Sequence, residues 1–211
     1  MNNRTNRWPA YRLYPLLALM AALGTGTHLS AQQADVSTPD PAPQRAGLHF
    51  SIGLGSASVS ASCPGCDVDF FTDRINGFSG NLQLGGSLSP SLVMAAEFTG
   101  WIRNDQPIYR RIAALNLVLL GYPSRSAGFF VKGGAGVLRA IAEDDVFLAQ
   151  TDAFTAVTGV GYDIPLGETV KLTAYANYIR TFAGETWFNG VVSPVVVTPD
   201  AIQFGSALTI H

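Results

Sequence analysis

The chain has 211 residues, of which 47% are apolar and only 13% are charged, and its formal net charge is −2. This length is sufficient for one domain with a sizeable core. The sequence has no run of basic residues, which excludes the charged surface expected of a nucleic-acid-binding protein.

The first 31 residues have the features of a secretory signal peptide. Three arginines precede the apolar run LYPLLALMAALG, and small residues follow it. This run is shorter than the roughly 20 apolar residues that a membrane-spanning helix needs. We therefore expect cleavage after Ala31, with an uncleaved membrane anchor as the alternative. Residues 32–45 are polar and proline-rich, and we expect a flexible leader there before a single domain over residues 46–211.

From Gly47 onward, apolar and polar residues alternate with a period of two, which is typical of β-strands with two different faces. Eight such segments follow one another: GLHFSIGLG, GFSGNLQLGGSL, SLVMAAEFTGWI, RIAALNLVLLG, GFFVKGGAGVLR, DAFTAVTGVGYDI, TVKLTAYANYIR and AIQFGSALTIH. In the last segment, one face carries four large apolar residues: Ile202, Phe204, Leu208 and Ile210. No helical period appears after the signal segment.

The connections between the predicted strands are of two kinds. Short connections rich in Pro, Gly and Ser are predicted at residues 89–91, 122–126 and 165–168. Longer and more polar connections are predicted at residues 60–76, 103–108, 140–151 and 183–199. Because the two kinds alternate along the chain, we expect a sheet with one turn end and one loop end.

The two faces of the strands differ in size and polarity. One is uniformly large and apolar, and the other carries mostly Gly, Ser, Thr, Asn and Gln. A small eight-stranded barrel has room inside only for its own side chains, so that Leu and Phe on every strand would crowd it. We therefore expect the polar face inside and the apolar face toward lipid. A soluble secreted barrel that binds an apolar ligand is the alternative.

With these features the chain resembles the small bacterial outer-membrane β-barrels of the OmpA/OmpX type, from about Gly47 to His211. The segments GFSGNLQLGGSLSP, GFFVKGGAG, GVGYDIPLG and FGSALTIH carry the resemblance. It implies an all-β fold, an eight-stranded antiparallel up-and-down transmembrane barrel with both termini in the periplasm. Such proteins serve as membrane anchors, adhesins, small pores or surface-protection factors.

The resemblance also implies the partners of the chain, namely outer-membrane lipid and the barrel-assembly machinery that reads the last strand. The family usually ends on an aromatic residue, whereas this chain has His211 there. The loops contain no readable recognition motif, so their extracellular partner is unknown, and we expect a monomer. A narrow channel for water or small ions is a further alternative.

Three polar residues on the inward face are candidates for a cluster in the lumen. Glu97, Asn116 and Lys132 lie on three consecutive predicted strands at similar heights above the turn end. Two strand spacings, about 9–10 Å, are within the combined reach of Glu97 and Lys132. Because a charge in a narrow interior is costly unless it is paired, we predict that the three interact and fill the lumen. A gating or proton-path role is the alternative.

Cys63 and Cys66 form the segment CPGC in the first long connection. In a secreted chain two cysteines suggest a disulfide, here a local one that closes a short loop. An intermolecular or cofactor role is the alternative. After removal of the signal peptide only His49 and His211 remain as histidines, both expected near the turn end. No serine–histidine pair is placed for catalysis, and we expect no enzymatic activity, metal or cofactor.

Aromatic residues are predicted to form belts at the two membrane interfaces. Those near the loop end are Phe71, Trp101, Tyr109 and Trp187, and those nearer the turn end are Tyr122, Phe129, Tyr162 and Phe204. Packing inside the barrel is the alternative, and Trp101 shares the inward face with Glu97.

Overall fold

The computed structural model describes residues 47–63, 73–124, 128–194 and 196–210. This part of the chain forms nine strands: β1 (Leu48–Ser62), β2 (Ile75–Ser89), β3 (Leu92–Asp105), β4 (Ile108–Gly121), β5 (Phe129–Glu143), β6 (Leu148–Pro165), β7 (Val170–Phe188), β8 (Val191–Val192) and β9 (Thr198–Ile210). The predicted signal peptide and leader lie outside the described residues. Within those residues, no helix has the length and apolar character needed to cross a membrane.

Eight of the strands, β1–β7 and β9, form a closed antiparallel barrel. Each pairs with the next along the chain, and β9 pairs with both β7 and β1. The closing ladder between β1 and β9 runs from Phe50 opposite Ile210 to Ser62 opposite Thr198. Closure gives each of these eight strands two partners, so the barrel itself has no open edge strand. The predicted all-β fold, an up-and-down barrel of eight antiparallel strands, is therefore confirmed.

The alternation of the sequence becomes an alternation between the outside and the lumen. On β1, the side chains of Leu48, Ile52 and Leu54 are exposed on the outside, while His49 and Ser51 are buried inside. The same order holds on β9, where the outward apolar residues are Ile202, Phe204, Leu208 and Ile210 and the buried inward residues include Gln203 and Thr209. The outer surface of the barrel is thus apolar and its lumen is largely polar.

Three of the predicted long connections are in fact mostly strand, including 183–199, where β7 continues to Phe188, β8 covers Val191–Val192 and β9 begins at Thr198. Only Gln106 and Pro107 separate β3 from β4, and residues 144–147 separate β5 from β6. In the latter turn, Asp144 Oδ1 accepts hydrogen bonds from the backbone N–H groups of Val146 and Phe147, at 2.8 and 2.7 Å. The prediction of loops at 103–108 and 140–151 was wrong because polar residues can continue a ladder without an apolar face to mark it.

A tight turn connects β7 to the short strand β8. Asn189 and Gly190 both have positive φ, 49° and 83°. Such a pair is typical of the two-residue turn whose twist matches that of a hairpin, and asparagine and glycine tolerate these angles best. Asn189 also connects this hairpin to β6, because its side-chain oxygen accepts a hydrogen bond from Leu148 N at 2.8 Å.

Near its loop end, β7 contains an irregularity that changes which residues face inward. Opposite β6 the register shifts between Ala153 and Thr155, so that Ala153 pairs with Gly184 and Thr155 with Thr181. Thr181 is buried in the lumen, and beyond the bulge the buried residue is Thr186. The bulge thus moves the inward face from odd-numbered to even-numbered residues. As a result Thr186 Oγ1 comes within 3.0 Å of Thr151 Oγ1 on β6.

Candidate functional site

A buried ion pair lies in the lumen of the barrel, between β3 and β5. Lys132 Nζ donates to Glu97 Oε2 at 2.6 Å, and the two side chains are 2% and 0% exposed. β4 lies between their strands, so the contact passes over the inner face of β4. The attraction between two opposite charges in contact offsets part of the cost of removing each from water. If one of them is lost, the other is left as an unpaired buried charge, which destabilises the fold.

Asn116 lies beside this pair and makes a different contact. It is opposite Glu97 in the β3–β4 ladder, and its Oδ1 accepts a hydrogen bond from Thr155 Oγ1 on β6 at 2.8 Å. Its other ladder neighbour is Gly136 on β5. A side chain at Gly136 would overlap the Leu115 carbonyl oxygen and approach Asn116 Oδ1 to 2.7 Å. Glycine at this position therefore leaves the space that the Asn116 amide occupies.

Two residues of β2 that were not predicted as part of the cluster complete the surroundings of Glu97. Its Oε2 accepts hydrogen bonds from Asn81 Nδ2 at 2.9 Å and from Gln83 Nε2 at 2.6 Å. Gln83 Oε1 in turn lies 3.0 Å from His49 Nε2 on β1. His49 is 1% exposed and is the second residue of β1, so it joins the lumen network near the turn end, where the sequence placed it. Three donors thus converge on one carboxylate oxygen.

A second network fills the turn end of the lumen. Asp163 on β6 accepts hydrogen bonds from Tyr122 OH at 3.0 Å and from Thr173 Oγ1 at 2.7 Å. The chain of hydroxyl groups continues from Thr173 to Thr209 at 2.8 Å and from Thr209 to Ser51 at 2.9 Å. It connects β6 and β7 to the closing pair of strands, β9 and β1.

Among the described residues, the fully buried charges of the lumen are balanced. Two carboxylates, Glu97 and Asp163, and two lysines, Lys132 and Lys171, are buried in the lumen. Their charges sum to zero, which avoids the cost of a net charge in a narrow and poorly hydrated interior. The network therefore acts as a polar core, the counterpart of the apolar core of a soluble protein.

The predicted aromatic belts include two residues that point inward instead. Trp101 is buried, and its indole N–H donates to the Ala57 carbonyl oxygen at 3.0 Å. Tyr122 is also buried, with its ring 5.4 Å from that of Phe130. Phe129, Tyr162 and Phe204 are exposed on the outside, whereas Phe71 lies outside the described residues. For Trp101 and Tyr122 the belt interpretation is wrong, because both lie on the inward parity of their strands.

The cysteine prediction concerns a part of the chain that is described only at its first residue. Cys63 follows β1 directly and is not a free cysteine. Cys66, its predicted partner, lies outside the described residues, so the disulfide stays a prediction. Among the described residues, no cluster of three or more His, Cys, Asp or Glu side chains could hold a metal ion.

Comparison with known proteins identifies the fold and no closer relationship. No family model and no curated protein matches the chain. The solved structure of Neisserial surface protein A is 16% identical, covers 76% of this chain and 96% of its own, and has a TM-score of 0.51. The attachment invasion locus protein Ail of Yersinia pestis is 13% identical, with coverages of 78% and 99% and a TM-score of 0.49.

The outer membrane protein OprG of Pseudomonas aeruginosa is 16% identical, with coverages of 82% and 100% and a TM-score of 0.48. At these identities only the fold is shared: with its closed ring of eight strands, this chain resembles Neisserial surface protein A in fold. The protein has the fold of a small eight-stranded antiparallel β-barrel.

Proposed function

We propose that this chain, which has the fold of the small outer-membrane β-barrels, is an integral barrel of a bacterial outer membrane. In this proposal its role is structural and interfacial: a rigid barrel, filled by its own polar side chains, that presents its loop end at the cell surface. The turn end and both termini then lie in the periplasm. No enzymatic activity is part of the proposal.

The observation that carries the proposal is the apolar outer surface. Large apolar side chains are exposed around the whole barrel, including Leu54 on β1, Leu84 on β2, Phe98 on β3, Leu117 on β4, Val137 on β5, Phe154 on β6, Phe182 on β7 and Phe204 on β9. In water such a continuous surface would promote association, whereas in a bilayer it faces hydrocarbon. A closed barrel also satisfies its backbone hydrogen bonds internally, which lipid requires.

The distribution of polar residues supports the same placement. A soluble barrel that carries an apolar ligand would have its large apolar residues inside and its charges outside. Here the arrangement at mid-height is the opposite, because the polar residues Glu97, Lys132 and Asn116 are buried in the lumen. We propose outer-membrane lipid and, during biogenesis, the barrel-assembly machinery as partners, with a monomeric barrel and an extracellular partner of unknown identity. We also propose a local Cys63–Cys66 disulfide beside the loop end of β1.

The test is electrophoresis of boiled and unboiled protein from fractionated cells. We expect the protein in the outer-membrane fraction, extracted only with detergent, and a folded form that migrates differently from the boiled form. Barrels of this kind resist unfolding by the gel detergent because their ladders are closed. Recovery from a soluble fraction without detergent, with identical migration before and after boiling, would contradict the proposal.

A further inference from the structure

Two hairpins at the loop end of the barrel are joined into one surface. Asn189 N, in the β7–β8 turn, donates to the Leu148 carbonyl oxygen at 2.8 Å, and Asn189 Oδ1 accepts from Leu148 N at 2.8 Å. The rings of Phe147 and Phe188, one from each hairpin, are 5.6 Å apart. We call the joined ends of the two hairpins the hairpin-tip surface, which consists of residues 143–148 and 185–192.

Three valines are exposed on the hairpin-tip surface. Val146 and Val191, at 87% and 70%, are the most exposed large apolar side chains among the described residues, and Val192 is 60% exposed. Lipid does not account for this exposure. β7 runs from Val170 to Phe188, well beyond the 9–11 residues or so that cross a bilayer, so that its loop end reaches into water. A group of exposed apolar side chains in water is typical of an interaction site.

The hairpin-tip surface carries only negative charges of its own. It contains Glu143, Asp144, Asp145 and Glu185, and no Lys, Arg or His. One cation comes from the neighbouring strand, since Arg111 on β4 pairs with Glu143 at 3.7 Å. Four carboxylates and one guanidinium group leave a net charge of −3. Such a surface repels a second copy of itself and anionic lipid headgroups, and it attracts a cationic partner.

We propose that the hairpin-tip surface binds a cationic polypeptide segment that has both basic and aliphatic side chains. The aliphatic side chains cover Val146, Val191 and Val192, and the basic side chains pair with the carboxylates around them. Because hydrogen bonds already join the two hairpins, little of the protein has to be ordered on binding. The proposal deepens the interfacial role proposed above, and it rests on that role for the exposure of the loop end outside the cell.

Surface plasmon resonance with synthetic peptides tests this binding. The probe is a twelve-residue peptide of alternating Lys and Val, and the two comparison peptides replace Val by Ser or Lys by Glu. The protein is held in nanodiscs of phosphatidylcholine, which has no net charge, and empty nanodiscs give the reference signal. Gel migration verifies the folded state first. If the folded protein is recovered from a soluble fraction, the same titration is done without nanodiscs, so that a failure of the membrane proposal is seen separately.

We expect saturable binding of the Lys–Val peptide and roughly tenfold weaker binding of both comparison peptides. Val146→Ser combined with Val192→Ser should weaken binding of the Lys–Val peptide about tenfold, because its aliphatic side chains lose their apolar contacts. Asp145→Asn combined with Glu185→Gln should weaken it about fivefold at low salt and reduce its dependence on salt, because two exposed ion pairs are lost.

The matched controls are Leu166→Ser and Glu168→Gln. Both residues are exposed in the β6–β7 turn, at the opposite end of the barrel, and their substitution should leave peptide binding unchanged. A folded protein that shows no saturable binding of the Lys–Val peptide would overturn the proposal. So would binding that survives both hairpin-tip variants, which would place the site elsewhere. Equal binding of the Lys–Val peptide and either comparison peptide would remove the selection by charge or by apolar contact.

Discussion

The Glu97 carboxylate is the most constrained charge of the molecule among the residues described. One of its oxygens accepts hydrogen bonds from Asn81, Gln83 and Lys132. Charge-assisted hydrogen bonds of this kind are stronger than neutral ones, but they must offset the cost of dehydrating both charges. The pair therefore determines how the lumen packs more than it adds to net stability.

Removal of one partner should be far worse than removal of both charges. We expect Lys132→Met to destabilise the barrel by about 3–5 kcal/mol, because it leaves the Glu97 carboxylate buried without its cation. The double variant Glu97→Gln with Lys132→Met should recover much of this loss, since the glutamine oxygen can still accept from Asn81 and Gln83. The measurement is the denaturant dependence of unfolding from lipid vesicles.

Glu185→Gln, at an exposed position of β7, is the control for that experiment and should change stability by less than about 0.5 kcal/mol. If the loss of stability in the double variant equals the sum of the losses in the Glu97→Gln and Lys132→Met single variants, then Glu97 and Lys132 are not coupled.

The sequence could place Glu97 and Lys132 on the inward face because parity along a strand needs no knowledge of register. It did not identify Asn81 and Gln83 as partners, because cross-strand neighbours depend on where the turn lies. A usable signal was present: Gln83 and Glu97 are equidistant from Pro90, and they are opposite each other in the ladder. The contact of Asn116 with Thr155 depends on barrel closure and lumen packing, which a single strand does not encode.

At the level of the strands, the number of residues in each strand determines the height of the barrel and of its outer surface. The eight barrel strands have between 13 and 19 residues. A tilted strand needs only about 9–11 residues to cross a bilayer. In the proposed membrane placement, the hairpins at the loop end therefore extend beyond the bilayer as paired strands, and the polar segments predicted as loops form ladders there.

A charged substitution on the outer face of a strand tests whether that face contacts lipid or water. Leu117, on β4, is 55% exposed and lies near the middle of the outer apolar surface. We expect Leu117→Arg to destabilise the folded barrel in vesicles by about 2–4 kcal/mol, the cost of a cation near the bilayer midplane. The measurement is again denaturant unfolding.

Val146→Arg is the matched control for Leu117→Arg, because Val146 is 87% exposed at the tip of the β5–β6 hairpin. We expect little change there. A Leu117→Arg protein as stable as the Val146→Arg protein would indicate that the outer face of β4 contacts water.

For the whole molecule, the balanced charges and the two polar networks make the lumen a filled interior. Glutamine, lysine, glutamate and tyrosine side chains cross it at mid-height and at the turn end. An eight-stranded barrel has little room beyond its own side chains.

Because the lumen is filled, we predict that the protein does not conduct ions. Protein reconstituted in a planar bilayer should give no steady ohmic current, because ions would have to displace the paired charges of Glu97 and Lys132. A larger porin in the same membrane provides the sensitivity control. A stable open conductance from the folded protein would favour the narrow-channel alternative.

The bulge in β7 has a consequence for how such a chain can change over evolutionary time. A one-residue insertion within a strand ordinarily reverses which side chains face the lumen, as far as the next turn. It would turn large apolar side chains into the lumen. In β7 the extra residue is absorbed between Thr181 and Gly184, and Thr186 still points inward. Insertions of one residue can therefore be accommodated near the loop end of a strand, where a bulge can form, whereas the middle of a strand can lengthen only by two residues at a time.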